Sequence, residues 1–214
     1  MIEAILFDKD GTLINSSEFY YRAISATFRH FGVELSREEY TENWMTSFGG
    51  TKATAEKHGL ADRIEDIRKF REPLVLRVAE EVALMPYALE LLDYLSAQHD
   101  LALVTADYPH FVKKQIERLG IAGKFAHVVA QSKVIDGKSV PDPYLKCIDL
   151  LGLHPSQTVA VEDSPAGAMS AKMAGCKVIY FPNGFTKKMK FELADRIIGS
   201  LDEIDDAMIN DLSE

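Results

Sequence analysis

Short hydrophobic runs recur along the chain and predict six buried strands. Nearly every position in each run is apolar, which is typical of strands covered on both faces, as in a parallel sheet. Segments with apolar residues at helical spacing lie between most of the runs. We therefore predict an α/β fold whose core is a Rossmann-like parallel sheet with helices on both faces. The predicted strands are Ile2–Phe7, Leu101–Thr105, Val128–Ala130, Thr158–Val161, Lys177–Phe181 and Ile197–Ile198.

Proline and glycine delimit the helices between these strands. A polar residue followed by proline predicts a helix start, and a glycine after the last apolar position predicts its end. The predicted helices are Tyr87–Ala97, Pro109–Leu119, one from Asp142 to about Gly152, and one from Ser164 to about Gly175.

The segment between the first two strands contains only helical signals. Asn15 with Glu18, and Ser36 with Glu39, have the spacing of capping boxes, which mark helix starts. We therefore predict a helical cap domain of residues 16–82, inserted into an α/β core domain formed by residues 1–15 and 83–214.

Composition and charge exclude several classes of protein. The chain has 214 residues, of which 47% are hydrophobic and 27% charged, as in globular proteins. Its net charge of -9 repels polyanions, and no basic stripe predicts nucleic-acid binding. No apolar segment has the ~20 residues of a membrane span, and no signal peptide is evident. Cys147 and Cys176 lie in apolar segments and are predicted to be buried thiols. We expect a cytoplasmic protein, monomeric or weakly dimeric, without a protein partner.

Polar side chains follow four of the predicted strands. Because parallel strands end at one edge of a sheet, where ligands bind, these side chains should face a common crevice. Asp8 and Asp10 are two residues apart and point the same way, so they need a shared proton or a cation. Asp163 adds a third acid, and clustered carboxylates suit Mg²⁺. Each group alone is compatible with a turn, a cap or a solvated side chain, but their joint order favours a functional site. The groups are Asp8, Asp10, Thr105, Lys138, Glu162 and Asp163.

These segments resemble the motifs of the haloacid dehalogenase-like hydrolase superfamily, in the branch with a helical cap after the first motif. FDKDGTL at Phe7–Leu13 is similar to the first motif, and VEDSPAG, with Glu162 and Asp163, is similar to the fourth. Thr105 has the position of the second motif, and Lys138 within GKSVPDP that of the third. The resemblance covers essentially the whole chain and is to phosphoglycolate phosphatases and β-phosphoglucomutases.

The resemblance implies a Mg²⁺-dependent phosphatase that acts on a small phosphorylated metabolite, such as a sugar phosphate or phosphoglycolate. Asp8 would attack phosphorus and form an aspartyl-phosphate, and Asp10 would protonate the leaving oxygen. Thr105 and Lys138 would bind the phosphoryl oxygens. Because halide release needs no proton, the presence of Asp10 favours phosphatase over dehalogenase chemistry.

The resemblance also implies a metal site. The Asp8 carboxylate, the Asp10 carbonyl and Asp163 would bind Mg²⁺. Glu162 would either support the outer shell of the metal or orient Lys138.

The substrate is less well defined by the sequence. A β-phosphoglucomutase-like phosphomutase and a catalytically silent binding module are the alternatives. Against the mutase, Tyr20 stands where those enzymes have a cap histidine, and Asp107 and Tyr108 stand where they have serine and lysine. In the cap, Lys52 is the candidate substrate contact and Gly49 allows its loop to approach the crevice, although a solvated lysine is the alternative. Tyr20 and Trp44 are either cap core or substrate contacts.

Overall fold

The computed structural model describes residues 1–46, 49–130, 134–135 and 138–213, of which residues 78–79, 134–135 and 138–139 are described by their backbone alone. The strands are β1 Ala4–Phe7, β2 Asp100–Thr105, β3 His127–Ala130, β4 Val134–Ile135, β5 Lys138–Ser139, β6 Thr158–Glu162, β7 Lys177–Tyr180 and β8 Arg196–Ile197. The α-helices are α1 Ser17–His30, α2 Arg37–Tyr40, α3 Gly50–Lys57, α4 Ile64–Glu81, α5 Ala88–Leu95, α6 Pro109–Arg118, α7 Asp142–Leu151, α8 Pro165–Met173 and α9 Asp206–Asp211. A π-helix, Thr41–Thr46, follows α2.

The main sheet has the strand order β3-β2-β1-β6-β7-β8, and all of its paired neighbours are parallel. The predicted α/β fold is therefore confirmed, and each of the six predicted runs contains or overlaps one strand of this sheet. Strands β4 and β5 form a separate antiparallel pair that the sequence pattern did not predict. Each has only two residues, which is too short for a periodic signal.

Alternate residues of the central strands pack into two hydrophobic clusters. Ile5 and Phe7 of β1 belong to one cluster, together with residues of α5, α6 and α9. Ala4 and Leu6 belong to the other, with residues of α7 and α8. Helices thus cover both faces, which explains why the strand sequences are apolar at nearly every position. Cys147 and Cys176 are buried free thiols in the second cluster, as predicted.

Helices α1 to α4 follow β1 and form the region predicted to be the cap. Ile24, Phe28 and Ile67 are buried in a third hydrophobic cluster, which Phe185 of the core also contacts. The chain leaves and returns side by side, because Asn15 N–H donates to Ala83 O (2.9 Å) and Met85 N–H donates to Leu13 O (2.8 Å). This arrangement is compatible with the predicted boundaries of the cap, which remain a prediction.

The two predicted capping boxes differ in outcome. Ser36 Oγ accepts a hydrogen bond from Glu39 N–H (3.1 Å) and begins α2, as predicted. The Asn15 box is wrong: α1 begins at Ser17, and its N-cap residue Ser16 makes no side-chain cap. Ser16 Oγ instead donates to Asp10 (2.7 Å), so the loop after β1 uses the hydroxyl group that would otherwise cap the helix. None of the helices in the described ranges is long and apolar enough to cross a membrane.

Candidate active site

The end of β1 places Asp8 at the carboxyl edge of the sheet. Phe7 is in register with Leu103 of β2 and with Val161 of β6, so the residues that follow these positions lie next to one another. Asp8 N–H donates to Val161 O (2.9 Å), and the Asp8 residue is only 6% exposed. The sequence therefore places a buried carboxylate where three neighbouring strands end.

Asp8, Glu162 and Asp163 form a buried carboxylate cluster. One oxygen from each residue lies within 4.8 Å of the others. Three buried negative charges repel one another and lose their hydration, so the cluster is stable only with protons or a cation. An all-oxygen donor set is the kind that Mg²⁺ prefers, so these residues fit the metal predicted from the sequence. The Asp10 side chain is not part of this cluster.

Glu162 has a fixed position below the start of α8. Tyr144 Oη donates to Glu162 Oε1 (2.6 Å), and Ser164 Oγ donates to Glu162 Oε2 (3.2 Å). Burial, followed by the negative charge of Glu162, raises the pKa of Tyr144 well above its usual value, so the phenol remains a donor. A Cβ atom at Gly167 would overlap the Glu162 carboxylate. Glycine at position 167 thus allows the carboxylate to lie against the first turn of the helix.

The Asp10 carboxylate contacts a buried lysine. Lys9 Nζ lies 2.9 Å from Asp10 Oδ1 and 2.8 Å from Asp10 Oδ2, and it also donates to Asp107 Oδ2 (3.2 Å) and Gln115 Oε1 (2.5 Å). Burial raises the pKa of Asp10; Lys9 opposes this, whereas Asp107 and Asp8 add to it. For Lys9, burial lowers the pKa, but Asp10 and Asp107 outweigh it and the net pKa is raised. The lysine therefore remains an ammonium ion.

The structure describes the side chain of Thr105 but not that of Lys138, the two residues predicted to bind the phosphoryl group. Thr105 ends β2, is almost fully buried and lines the same cavity as Asp8, Asp10 and Asp163. Its Oγ1 accepts a hydrogen bond from Asp107 N–H (3.3 Å). Lys138 begins β5, but its side chain lies outside the described part of the structure. The proposed contact of Lys138 with a phosphoryl group therefore stays a prediction.

A cavity of about 850 Å³ extends from these carboxylates to the cap. Its cap-side lining includes Tyr20, Tyr40, Trp44 and Arg71. Tyr20 Oη donates to Asp107 Oδ2 (2.9 Å), and Trp44 stacks on Tyr40 with ring centroids 5.3 Å apart. Tyr20 and Trp44 pack against the third hydrophobic cluster and also line the cavity, and whether they contact a substrate stays a prediction.

Arg71 is a cavity-lining cation of α4 that was not predicted from the sequence, and Arg68 and Lys69 of the same helix also line the cavity. The Arg71 guanidinium donates to Thr51 Oγ1 (2.5 Å), and no carboxylate of the described residues forms an ion pair with it. Burial lowers its pKa, although an arginine remains charged at neutral pH. In the sequence, Arg71 lies among several charged residues of α4, and no local signal distinguishes it from a solvated side chain.

The two cap residues predicted to contact substrate lie elsewhere. The Lys52 side chain is 65% exposed and lies 4.0 Å from Glu56 of its own helix. Gly49 precedes α3, where a Cβ atom would overlap Ala53. Neither residue is among those that line the cavity. Their predicted contacts with substrate stay predictions.

Three comparisons relate the chain to known proteins. The family model of the haloacid dehalogenase-like hydrolases matches residues 2–175. Protein CbbY of Cereibacter sphaeroides is 35% identical over 218 residues, which cover 95% of this chain and 94% of that protein. Hexitol phosphatase A of Escherichia coli strain K12 is 33% identical, over 94% of this chain and 93% of that protein. The crystal structure of CbbY from Rhodobacter sphaeroides in complex with xylulose-(1,5)-bisphosphate has a TM-score of 0.80 at 33% identity, covering 95% of this chain and 96% of that chain.

Proposed function

The chain belongs to the haloacid dehalogenase-like hydrolases, and from this membership we propose that it is a Mg²⁺-dependent phosphatase of a small sugar phosphate. The observation that carries the proposal is the buried cluster of Asp8, Glu162 and Asp163 at the base of a cavity that Asp10 and Thr105 also line. This arrangement supplies a nucleophile, an acid and a metal site at one place.

The reaction begins with Asp8. A carboxylate oxygen of Asp8 attacks phosphorus, and the bond between phosphorus and the leaving oxygen breaks, which gives an aspartyl-phosphate. The Asp10 carboxyl group gives its proton to the leaving oxygen. Asp10 then accepts a proton from the water that hydrolyses the intermediate, and phosphate and free Asp8 are released. Two easier steps thus replace one very slow hydrolysis.

The metal site would consist of Asp8, Asp163 and the Asp10 carbonyl, with Glu162 in its outer shell. When bound there, Mg²⁺ supplies positive charge that offsets the repulsion between the Asp8 carboxylate and a phosphate dianion. Gly11 supports this site, because a Cβ atom at its position would overlap the Asp163 carboxylate.

The proposed phosphoryl-binding residues are Thr105, at the end of β2, and Lys138, at the start of β5. Thr105 lines the cavity together with Asp8, and Lys138 is proposed from the sequence to supply the ammonium ion. Hydrogen-bond donors at these positions stabilise the equatorial oxygens, where negative charge is spread in the transition state.

A sugar phosphate suits the remainder of the cavity. Tyrosine hydroxyl groups and the indole ring of Trp44 offer hydrogen bonds and apolar surface to a polyol chain, and Arg71 offers a positive charge to an anionic group. CbbY was crystallised with a sugar bisphosphate and the Escherichia coli relative is named a hexitol phosphatase, which supports the same class of substrate. No contact in the described part of the chain favours a phosphomutase, and the retained carboxylates argue against a silent module.

A substrate screen tests this proposal. The purified protein is assayed for phosphate release from xylulose 1,5-bisphosphate, hexitol phosphates and phosphoglycolate, with Mg²⁺ or with a chelator. We expect Mg²⁺-dependent release from sugar phosphates and its loss in Asp8→Asn, which keeps the size of the side chain. Release that persists with chelator, or in Asp8→Asn, would refute the metal site or the nucleophile. Transfer of phosphate to a second sugar carbon without release would favour the mutase.

A further inference from the structure

Lys9, the residue between the two catalytic aspartates, has no role in the mechanism above. Its side chain is fully buried, although lysine is among the residues that are least often buried. The three hydrogens of its ammonium group face three acceptors, which are the side chains of Asp10, Asp107 and Gln115. A buried lysine is tolerated only when its charge is paired and its hydrogens are bonded. The three partners of Lys9 therefore compensate for the loss of its hydration.

The contact of Lys9 with Asp10 involves both carboxylate oxygens. Both Asp10 carboxylate oxygens lie within 2.9 Å of Lys9 Nζ, and Ser16 Oγ donates to Asp10 Oδ1 (2.7 Å). The carboxylate is thus held from two directions, while part of it remains exposed towards the cavity. A general acid must lie within hydrogen-bond reach of the leaving oxygen, so a small displacement of the Asp10 carboxyl group would slow proton transfer.

The ammonium group is itself anchored from β2 and α6. Asp107 follows β2 and Gln115 lies in α6, which are elements far from Lys9 in the sequence. Asp107 is in turn fixed by Tyr108 N–H (2.8 Å) and by Tyr20 Oη (2.9 Å). Lys9 therefore connects the Asp10 carboxylate to side chains that follow β2 and lie in α6.

We propose that Lys9 is a positioning residue that holds the Asp10 carboxyl group in place for proton transfer to the leaving group. This inference rests on the proposed function, in which Asp10 gives a proton to the leaving oxygen while the phosphorus–oxygen bond breaks. The described contacts of the Lys9 ammonium group are with Asp10, Asp107 and Gln115, and Lys9 is not among the residues that line the cavity. Its removal should therefore impair proton transfer to the leaving group selectively.

The test compares leaving groups. An alkyl phosphate, such as a hexitol phosphate, needs a proton on its departing alcohol, whereas 2,4-dinitrophenyl phosphate releases a stable phenolate without one. Because kcat/KM reports the steps up to formation of the aspartyl-phosphate, it isolates this proton transfer from later hydrolysis. Asp10→Asn provides the benchmark, since loss of general acid catalysis costs roughly 10²–10⁴-fold on the alkyl substrate.

The variants are chosen to keep the buried charge balanced. Lys9→Met alone would leave two carboxylates together, so Lys9→Met with Asp107→Asn is the main variant, because it keeps the net charge of Lys9, Asp10 and Asp107 at -1. Asp107→Asn alone is the matched control, since it retains the contact between Lys9 and Asp10. Circular dichroism and the unfolding temperature establish that each variant is folded, and Lys9→Gln with Asp107→Asn is a second choice that retains one donor.

We expect kcat/KM of the double variant to fall at least about tenfold more for the alkyl phosphate than for the dinitrophenyl ester. Asp107→Asn should lower both values by similar factors, and the Lys9→Gln double variant should lie between the two. An equal fall for both substrates in the folded double variant, or no fall, would overturn the positioning role. If the unaltered protein hydrolyses neither ester with Mg²⁺, the proposed phosphatase function itself fails, which is a different result.

Discussion

Gly11 lies at the turn that follows Asp8 and Asp10, the two aspartates proposed to be catalytic, and its φ is +87°. A side chain there is strained by about 1–2 kcal/mol, and its Cβ atom would also overlap the Asp163 carboxylate. We expect Gly11→Ala to lower the unfolding free energy by about 1–2 kcal/mol. We also expect it to weaken Mg²⁺ binding, so that a higher Mg²⁺ concentration is needed for half-maximal activity. Urea unfolding and a Mg²⁺ titration of phosphate release measure the two effects.

Gly32 provides the matched control for Gly11. Its φ is +82°, but a Cβ atom there meets no other atom within 4 Å. Gly32→Ala should therefore show a similar loss of unfolding free energy with an unchanged requirement for Mg²⁺. If both alanine variants respond alike to Mg²⁺, the approach of Asp163 to Gly11 does not matter for the metal.

Arg71 is the residue on which we expect the preference for charged substrates to depend. Its half-buried guanidinium lines the cavity without an ion pair among the described residues. Hydrogen bonds to charged groups contribute about 1.5–3 kcal/mol. We expect Arg71→Gln to lower kcat/KM roughly tenfold or more for xylulose 1,5-bisphosphate, with little change for an aryl phosphate that has no second anionic group. Steady-state kinetics on both substrates measure the difference.

Lys52→Ala belongs in the same assay, because Lys52 was predicted from the sequence to be the substrate contact in the cap. An exposed lysine paired at 4.0 Å within its own helix contributes little to binding in the present arrangement. A change of preference in Lys52→Ala, together with none in Arg71→Gln, would restore the assignment made from the sequence and exclude Arg71.

The buried lysine shows what local sequence cannot reveal. A lysine in a loop is usually solvated, and the partners that bury Lys9 lie 98 and 106 residues away in the chain. That Asp8, Asp10, Thr105 and Asp163 lie around one cavity was easier to predict, because their order after successive strands is itself informative. Side chains whose environment comes from distant elements have no such signal.

At the scale of elements, Asp195 connects the last two strands of the sheet to a helix. It accepts hydrogen bonds from Lys172 of α8 (2.8 Å) and from Val178 N–H of β7 (2.7 Å), and it immediately precedes β8. Burial alone would raise the pKa of Asp195, but these two donors outweigh burial and lower it. The folded state therefore favours the charged form of this residue.

The lowered pKa of Asp195 determines how its contribution to the unfolding free energy changes with pH. A carboxylate with a lower pKa in the folded than in the unfolded state stabilises the fold above its ordinary pKa of 3.8, and the contribution disappears as the pH falls through the folded value. We expect Asp195→Asn to reduce the unfolding free energy at pH 7 by about 1 kcal/mol, since the group is partly exposed. The difference from the unaltered protein should shrink below about pH 4.

Urea unfolding at pH 7 and at successively lower pH values measures this difference. Asp62→Asn is the control, because Asp62 is exposed and has no ion pair with any described residue. A deficit of Asp195→Asn that stays constant with pH would mean that the lost contribution is packing rather than charge.

Elements buried on both faces were predictable, whereas short or exposed ones were not. The strands of the sheet were found because burial on two sides requires apolar residues at nearly every position. Strands β4 and β5 have only two residues each, which is too short for an alternation of apolar and polar residues to be recognised in the sequence. The start of α1 was misplaced because a cap signal at Asn15 competes with the functional use of Ser16, whose hydroxyl group binds Asp10.

At the scale of the whole molecule, the sheet topology brings the candidate site residues together, and residues of the predicted cap line part of the cavity. The parallel register fixes which strand ends are neighbours, so the core side of the site followed from the sequence. No comparable rule fixes which face of an inserted helix meets the core. The cap lining, with Arg71 and Tyr40, therefore became visible only in the folded structure.

The carboxylate cluster also links metal binding to the stability of the whole fold. Asp8 and Asp163 come from different strand ends, so a cation that relieves their repulsion binds the folded state and not the unfolded chain. At a Mg²⁺ concentration 100 times the Kd, such linkage contributes about 2.7 kcal/mol. For a chain of this size, we expect the Tm to rise by roughly 5–10 °C, even without substrate, as measured by calorimetry with Mg²⁺ and with chelator. Asp163→Asn should largely abolish the rise, whereas Asp10→Asn should retain it, because only the carbonyl of Asp10 is assigned to the metal. An equal rise in Asp163→Asn would place the stabilising cation somewhere other than the carboxylate cluster.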